Sequence, residues 1–144
     1  MKYEEFDEGI KRTRLHEKMN GAEVFQFAFF NVPKSLKALM KEYSLDIDEV
    51  DYLLLHQANK FMCDGIAKKM KIETERVPSN IDRFGNTSGT SIPLLMVTEI
   101  RKQLQKSKLR HLCCGFGVGL SLGSVYFSTD KIVVPELIIL KQNV

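Results

Sequence analysis

The sequence predicts an α/β fold in which helices pack on the faces of a sheet. Segments with helical spacing alternate with short apolar runs, and two β-prone runs joined by a glycine-rich turn follow near the C-terminus. The predicted order is helix, strand, helix, helix, strand, strand. With 144 residues, 44% of them hydrophobic, the chain is long enough for one domain with its own core.

The first predicted helix is defined by apolar residues at helical spacing: Val24, Phe27, Ala28, Leu36, Leu39, Met40 and Tyr43. Pro33 interrupts this pattern, because proline lacks the N–H that the interior of a helix requires. We therefore expect either one long helix kinked at Pro33 or two helices that meet there.

A short buried strand and two further helices follow. The run "VDYLLL" (Val50–Leu55) predicts the strand, and Asn59 is a favourable N-cap for the next helix. One face of that helix carries Met62, Ile66 and Met70. After the turn-rich segment Arg76–Ser91, a single helix is predicted from Ile92, with Pro93 in its first turn and with apolar residues at Met96, Ile100 and Leu104.

The C-terminal part predicts two strands within Leu109–Phe127. They are joined by a turn with glycines at 115, 117 and 119, which permit close backbone approach. Alternation along the first of these strands places Cys113 and Cys114 on opposite faces of the sheet. The tail Lys131–Leu140 is apolar and β-prone except at Pro135. It predicts a further strand or a surface that binds a partner.

Charge and cysteine content argue against several classes of protein. The net charge of +3, with no Lys/Arg run among aromatics, does not favour a nucleic-acid partner. Cys63, Cys113 and Cys114 are an odd number without metal-ligand spacing, so we expect buried reduced thiols, no metal site and a cytoplasmic protein. The apolar runs are shorter than the ~20 residues of a membrane span, and the charged N-terminus is unlike a secretory signal.

Three features are candidates for chemistry. His56 follows a predicted strand, where α/β folds collect ligands and catalytic groups. Asn86 lies in "FGNTSGTS", and the turn Gly115–Gly119 offers backbone N–H groups to an oxyanion. Each feature has a structural alternative: a buried histidine with satisfied nitrogens, a turn residue that caps a helix, and a plain hairpin. Taken one at a time, these residues favour the structural alternative.

The ordered set "HQAN", "GNTS" and "GFGVGLSLGS" resembles the C-terminal half of the ketoacyl-acyl-carrier-protein synthase III family, within the thiolase-like superfamily. "MNGAEVFQFA" (Met19–Ala28) adds to this resemblance, which runs from about Leu15 to Phe127. We therefore interpret residues 1–144 as a single thiolase-like C-terminal domain with an unassigned tail at 128–144. The resemblance implies a five-stranded mixed sheet with helices on its faces.

The resemblance also implies a reaction. Members of the family transfer an acyl group from acyl-CoA to a cysteine, then condense it with malonyl-acyl-carrier protein as carbon dioxide leaves, without a cofactor. By this match His56 and Asn86 are catalytic, and the N–H of Val118 is an oxyanion donor. Asn59 and Gly21 fall where the family contacts the pantetheine arm, and no metal ligand is implied.

Departures from the family pattern shape these expectations. None of the three cysteines lies in the nucleophile context of the family, so we expect the chain to be inactive without a separate Cys-bearing N-terminal half. Whether that half is removed from a longer chain or is naturally separate stays open. Phe61 replaces an Arg that helps dock the carrier protein in many members, and Val118 replaces a common Gly.

An isolated half also exposes the surface that packs on its counterpart, so we expect a homodimer or a higher oligomer. Two alternatives to the condensing function are kept. One is a non-catalytic subunit that pairs with a partner or binds pantetheine. The other is a different reaction on the same fold, such as hydroxymethylglutaryl-CoA synthesis or polyketide chain initiation.

Overall fold

The computed structural model describes residues 4–5, 11–13 and 19–140. The elements in chain order are β1 (Glu4–Glu5), β2 (Lys11–Arg12), α1 (Gly21–Glu42), β3 (Tyr52–Leu55), α2 (Lys60–Met70), α3 (Ile81–Phe84), α4 (Ser91–Thr98), α5 (Arg101–Lys106), β4 (Lys108–Gly117) and β5 (Ser121–Asp130). Short 3₁₀ turns occupy Ile47–Glu49, Thr74–Arg76 and Ser88–Thr90. Within the described ranges, no helix is long and apolar enough to cross a membrane.

The central sheet has the order β3-β4-β5. β3 runs parallel to β4, with Leu53 opposite Leu112, and β5 returns antiparallel to β4 along its full length. β1 and β2 form a separate antiparallel pair. The sheet is mixed as predicted, but in the described part of the chain it has three strands. The expectation of five strands is therefore wrong for these residues.

One candidate for an additional strand, the tail Lys131–Leu140, forms no strand. Pro135 has no N–H to give to a neighbouring strand. The carbonyl of Val134 instead accepts from Arg101 Nε at 2.9 Å and from Gln105 Nε2 at 3.1 Å. Side chains of α5 thus occupy a backbone group that a strand partner would need. Only the Val134 side chain of the tail is buried. Residues 141–144 lie outside the described part.

Helices cover both faces of the sheet, as the fold class predicts. Alternation along β3 sends Leu53 and Leu55 to one face and Leu54 to the other. The first face packs on α1 and α2, with a core that includes Ala28, Val32, Leu36, Ile66, Leu112 and Cys114. The second packs on α4 and α5, with Leu95, Ile100, Leu104, Leu109 and Cys113. The prediction that Cys113 and Cys114 face opposite sides is confirmed.

α1 continues through Pro33 as one helix. A proline at this position removes the N–H that would bond to the carbonyl of Phe29, four residues earlier. Lys69, on α2, supplies the missing donor, because its Nζ lies 3.1 Å from that carbonyl oxygen. The same ammonium lies 3.6 Å from the centre of the Phe29 ring and 4.1 Å from that of Phe30. A contact between two helices thus stabilises the proline position.

The predicted helix from Ile92 is two helices, α4 and α5, separated by Glu99 and Ile100. The break follows Thr98, whose Oγ1 donates to the Leu94 carbonyl at 2.9 Å, a bond that tends to bend helices. Ile100 adopts a non-helical conformation at the break and is buried. Burial of this side chain therefore prevails over a straight continuation, and the single-helix prediction is corrected.

We expect Lys69→Met to lower the free energy of unfolding by about 1–2 kcal/mol, because it leaves the Phe29 carbonyl without its donor and removes the cation from the aromatic rings. Chemical denaturation measures this change. Lys68→Met, at the exposed neighbouring position, is the control and should cost less than about 0.5 kcal/mol.

In a Pro33→Ala background the helix regains the N–H for the Phe29 carbonyl. Lys69→Met should then cost on the order of 1 kcal/mol less than in the original chain. Equal costs in both backgrounds would show that Lys69 does not substitute for the missing N–H.

The buried side chain of His111 is expected to make the fold less stable at acidic pH. Its side chain is fully buried on β4, Nε2 lies 2.9 Å from Thr129 Oγ1, and Nδ1 has no partner among the described residues. Burial lowers the pKa of His111, and the nearby charge of Asp51 acts in the opposite direction. His111 is therefore protonated near pH 6.5 in the unfolded chain, whereas in the folded chain it stays neutral to lower pH. The free energy of unfolding consequently falls as the pH drops below that value.

We expect the free energy of unfolding to fall between pH 8 and pH 5.5, and His111→Gln to make this dependence shallower. Denaturant titrations at a series of pH values measure both slopes. Lys108→Gln, an exposed position on the same strand, should keep the original slope. A His111→Gln slope equal to that of the unchanged chain would contradict the assignment.

Candidate active site

His56 occupies the first position after β3. Its main-chain N–H donates to the carbonyl of Cys114 at 2.9 Å, which continues the pairing of β3 with β4 by one residue. Its half-buried ring meets Phe116 edge-to-face, with ring centres 5.2 Å apart and planes at 88°. The backbone bond and the aromatic contact both come from β4, so the sheet itself orients this histidine.

The imidazole of His56 contacts the segment that contains Asn86. Nδ1 lies 2.7 Å from Ser91 Oγ, at the start of α4. Burial lowers the pKa of His56, while a hydrogen bond with the Ser88 main chain acts in the opposite direction. A lowered pKa keeps the ring neutral at neutral pH. A neutral ring carries one N–H donor and one lone pair.

Asn86 is exposed and lies just before the 3₁₀ turn Ser88–Thr90. Its Oδ1 accepts from the main-chain N–H of Ser88 at 2.9 Å. Because the carbonyl end of the amide is engaged, the NH₂ end is the one that remains to donate to a ligand. The turn whose first residue binds Asn86 therefore leads directly into Ser91, whose hydroxyl contacts His56.

A second connection between the two segments is Gln57, which sequence reasoning missed. The side chain is buried; Nε2 donates to the Leu55 carbonyl at 2.8 Å. Oε1 accepts from Ser79 Oγ at 3.1 Å and from the Asn80 N–H at 3.3 Å. Gln57 thereby ties the end of β3 to the chain that leads into Asn86. The only sequence signal for this role is a polar residue two positions after a buried strand.

Val118 lies at the tip of the hairpin between β4 and β5 and is 97% exposed. The strand pairing ends one residue earlier, where Gly117 faces Ser121. Gly119 has φ of +134°, a conformation that residues with a side chain rarely adopt. Phe116, two residues before the tip, contacts the His56 ring. The hairpin therefore begins beside His56.

Gly21 and Asn59 lie at the start of two helices that pack side by side. Phe25 stacks on Phe61 with ring centres 5.7 Å apart. One turn further along each helix, Phe29 lies against Gly65. The helices therefore run in the same direction, and the two predicted pantetheine contacts lie at the same end of the pair.

Local structure explains one of these residues and leaves the other open. Asn59 is the N-cap of α2, and its Oδ1 accepts from the Met62 N–H at 2.8 Å. If Asn59 contacts a ligand, its NH₂ group is therefore the part of the side chain that is free to do so. A Cβ added at Gly21 would meet nothing within 4 Å, so packing does not require glycine there.

A shallow groove of about 430 Å³ lies between α1 and the hairpin tip. It is lined by Glu23, Gln26, Phe27, Phe30, Asn31 and Leu120. None of these is a predicted site residue. The residues to which the sequence assigned chemistry therefore do not line this groove.

The cysteines have the properties of structural thiols. All three are buried and free. Burial raises the pKa of Cys63 to about 11 and that of Cys113 to about 12, and it also raises the pKa of Cys114. The thiolate is the reactive form, so these groups are weak nucleophiles at neutral pH. Within the described ranges, no group of three or more His, Cys, Asp or Glu side chains is placed to bind a metal.

Comparison with known proteins gives one family. Residues 40–129 match the family model described as "3-Oxoacyl-[acyl-carrier-protein (ACP)] synthase III C terminal". A β-ketoacyl-[acyl-carrier-protein] synthase III of Trichodesmium erythraeum is 43% identical over 109 residues, which is 76% of this chain and 33% of that protein. A synthase III of Streptococcus gordonii is 38% identical over 109 residues, 74% of this chain and 34% of its own length.

The fold agrees with these relatives. The crystal structure of a 3-oxoacyl-(acyl-carrier protein) synthase from Burkholderia xenovorans superposes with a TM-score of 0.79 at 40% identity. The match covers 83% of this chain and 34% of that structure. The chain thus spans about a third of the length of the relatives it matches. It belongs to the 3-oxoacyl-[acyl-carrier-protein] synthase III family and corresponds to the C-terminal part of its members.

Proposed function

We propose that the chain supplies the His56–Asn86 half of a site for decarboxylative condensation of acyl-CoA with malonyl-acyl-carrier protein. The observation that carries the proposal is that both side chains bind one short segment: His56 Nδ1 lies 2.7 Å from Ser91 Oγ, and Asn86 Oδ1 accepts from the Ser88 N–H at 2.9 Å. Two neutral side chains joined in this way form one unit. Membership of the family supports the choice of reaction.

Loss of carbon dioxide from a malonyl thioester leaves an enolate, whose oxygen gains negative charge. Preorganised neutral donors stabilise such an oxygen without a rearrangement of the site during reaction. The neutral imidazole of His56 and the amide of Asn86 are donors of this kind. Because Ser88 engages Asn86 Oδ1, the amide offers its NH₂ group to the oxygen.

Membership of the family also suggests roles for Val118, Gly21 and Asn59. The N–H of Val118, at the hairpin tip, stabilises the oxyanion formed at the acyl thioester. Gly21 and Asn59, at the adjacent helix starts, contact the pantetheine arm. The open space around Gly21 suits the approach of a ligand to the backbone.

Carrier docking differs from the pattern of many family members. Phe61 is 75% exposed and stacks on Phe25, so this position offers an aromatic face in place of a guanidinium. The neighbouring Lys60 is paired with Asp64 at 3.1 Å. We therefore expect the contact of this helix end with a carrier protein to be mainly apolar.

The nucleophile comes from a separate Cys-bearing half. The three thiols of this chain are buried and have raised pKa values, so none is suited to accept the acyl group. Unpaired thiols also fit a reducing compartment, and a cytoplasmic location follows from them.

The rival function is a non-catalytic subunit that pairs with a condensing enzyme or holds pantetheine. The buried thiols support this rival function as well as the catalytic one, so they do not distinguish the two.

We expect His56→Ala and Asn86→Ala each to lower condensation by about 10²–10³-fold when the chain is combined with a Cys-bearing N-terminal half. A mass-spectrometric assay of the β-ketoacyl-carrier product measures the rate. His111→Gln and Gln103→Ala, which lie outside the site, should retain activity.

The chain alone should form no acyl adduct with acyl-CoA. Condensation by the isolated chain through one of its own cysteines would contradict the need for a second half. Unchanged rates in both site variants would leave the non-catalytic role.

Self-association is proposed from the exposed apolar tail, which presents Val133, Ile138, Ile139 and Leu140. We expect a dimer or larger species in sedimentation at low micromolar concentration. Ile138→Glu should shift the distribution toward monomer. Gln103→Glu, which adds the same charge at an exposed position on α5, should not. Sedimentation of the unchanged chain as monomer only would contradict the proposal.

A further inference from the structure

We propose that Ser91 is a positioning residue for His56: its hydroxyl donates to Nδ1 and fixes the imidazole in the tautomer that carries its proton on Nε2. The inference rests on the proposed function, in which His56 acts as an N–H donor. It adds a residue that neither the sequence motif nor the family resemblance assigned. It also states which nitrogen carries the catalytic proton.

The first observation is the contact itself. Ser91 Oγ lies 2.7 Å from His56 Nδ1, a distance typical of a hydrogen bond from a hydroxyl. Ser91 is 2% exposed, so water cannot readily reach its hydroxyl. It is the first residue of α4, and the buried Leu95 one turn later anchors that helix in the core. The hydroxyl is therefore held in place by secondary structure.

The direction of the bond follows from the hydroxyl hydrogen. If the ring donated from Nδ1, the buried Ser91 hydrogen would need an acceptor elsewhere. Among the described residues, the only side-chain hydrogen bond of Ser91 is the one to His56. A buried hydroxyl without an acceptor is destabilising, because it loses its hydrogen bond to water and gains none in the protein. The arrangement in which Ser91 donates to the Nδ1 lone pair satisfies both groups.

The tautomer has a consequence for catalysis. A neutral imidazole has a single N–H, and the other nitrogen is only an acceptor. With Nδ1 engaged by Ser91, the proton is on Nε2, the nitrogen that Ser91 does not cover. Phe116 packs edge-to-face on the ring, which opposes a ring flip that would move Nδ1 away from Ser91 and put Cδ2 in its place. Ser91 thus determines which nitrogen can stabilise an oxyanion.

A matched pair elsewhere in the fold provides the control. His111 Nε2 lies 2.9 Å from Thr129 Oγ1, which is a second imidazole bonded to a hydroxyl, in this case with a fully buried ring. This pair joins β4 to the far end of β5, where Leu109 faces Thr129. Thr129→Val therefore removes a comparable hydroxyl without a contact to His56.

Two-bond ¹H–¹⁵N correlation spectra of the ¹⁵N-labelled chain at pH 8 report the tautomer of each histidine. His56→Gln identifies the His56 signals. We expect His56 to show the Nε2–H pattern. Ser91→Ala should lower the ratio of Nε2–H to Nδ1–H about tenfold, the factor that corresponds to one buried hydrogen bond. Ser91→Thr retains a hydroxyl and should restore the ratio. Thr129→Val should alter the His111 signals alone.

An Nδ1–H pattern in the unchanged chain overturns the inference even if the Ser91 variants fail to fold. An unchanged ratio in a folded Ser91→Ala variant overturns it as well. In the condensation assay with a Cys-bearing half, Ser91→Ala should lower kcat about tenfold, and Ser91→Thr should recover it. If the tautomer depends on Ser91 while His56→Ala remains active, the positioning role stands and the proposed function fails.

Discussion

The parallel pairing of β3 with β4 is the constraint on which the rest of the site depends. It places Leu55 opposite Cys114 and continues through the bond from the His56 N–H to the Cys114 carbonyl. Because β4 then runs into the hairpin through Phe116, the same pairing sets the histidine ring beside the glycine turn. Helices packed on both faces bury this part of the sheet. A rigid base of this kind is what preorganised donors require.

Hydrogen bonds from buried polar side chains fix the end of β3 relative to the segment that contains Asn86. Gln57 binds the chain before α3, Ser91 binds the His56 ring from α4, and the Ser88 N–H binds Asn86 Oδ1. The Gln57 and Ser91 bonds join residues 22 and 35 positions apart in sequence, whereas the Ser88 bond is local. A network of satisfied polar groups in a partly buried site specifies one arrangement, because a broken bond leaves an unpaired group. The placement of His56 beside the segment that carries Asn86 is therefore a property of the folded core.

Features encoded by local period or capping chemistry could be predicted from the sequence. These include β3, α2 with its Asn59 cap, the β4–β5 hairpin and the opposite faces of Cys113 and Cys114. Features that depend on distant partners could not. Pro33 remains inside one helix because Lys69 reaches the Phe29 carbonyl, and the tail forms no strand because α5 side chains bind the Val134 carbonyl. The same division applies to the site: motifs indicated His56 and Asn86, whereas Ser91 and Gln57 are recognisable only by their contacts.

The most direct measurement is a crystal structure of the chain with a malonyl-pantetheine analogue that cannot lose its carboxylate. If His56 and Asn86 form one donor pair, His56 Nε2 and Asn86 Nδ2 will both lie about 2.7–3.2 Å from the same thioester oxygen. The pantetheine arm will pass the helix starts at Gly21 and Asn59. An analogue bound with its thioester oxygen beyond hydrogen-bond reach of either nitrogen would contradict a shared catalytic role for these two residues.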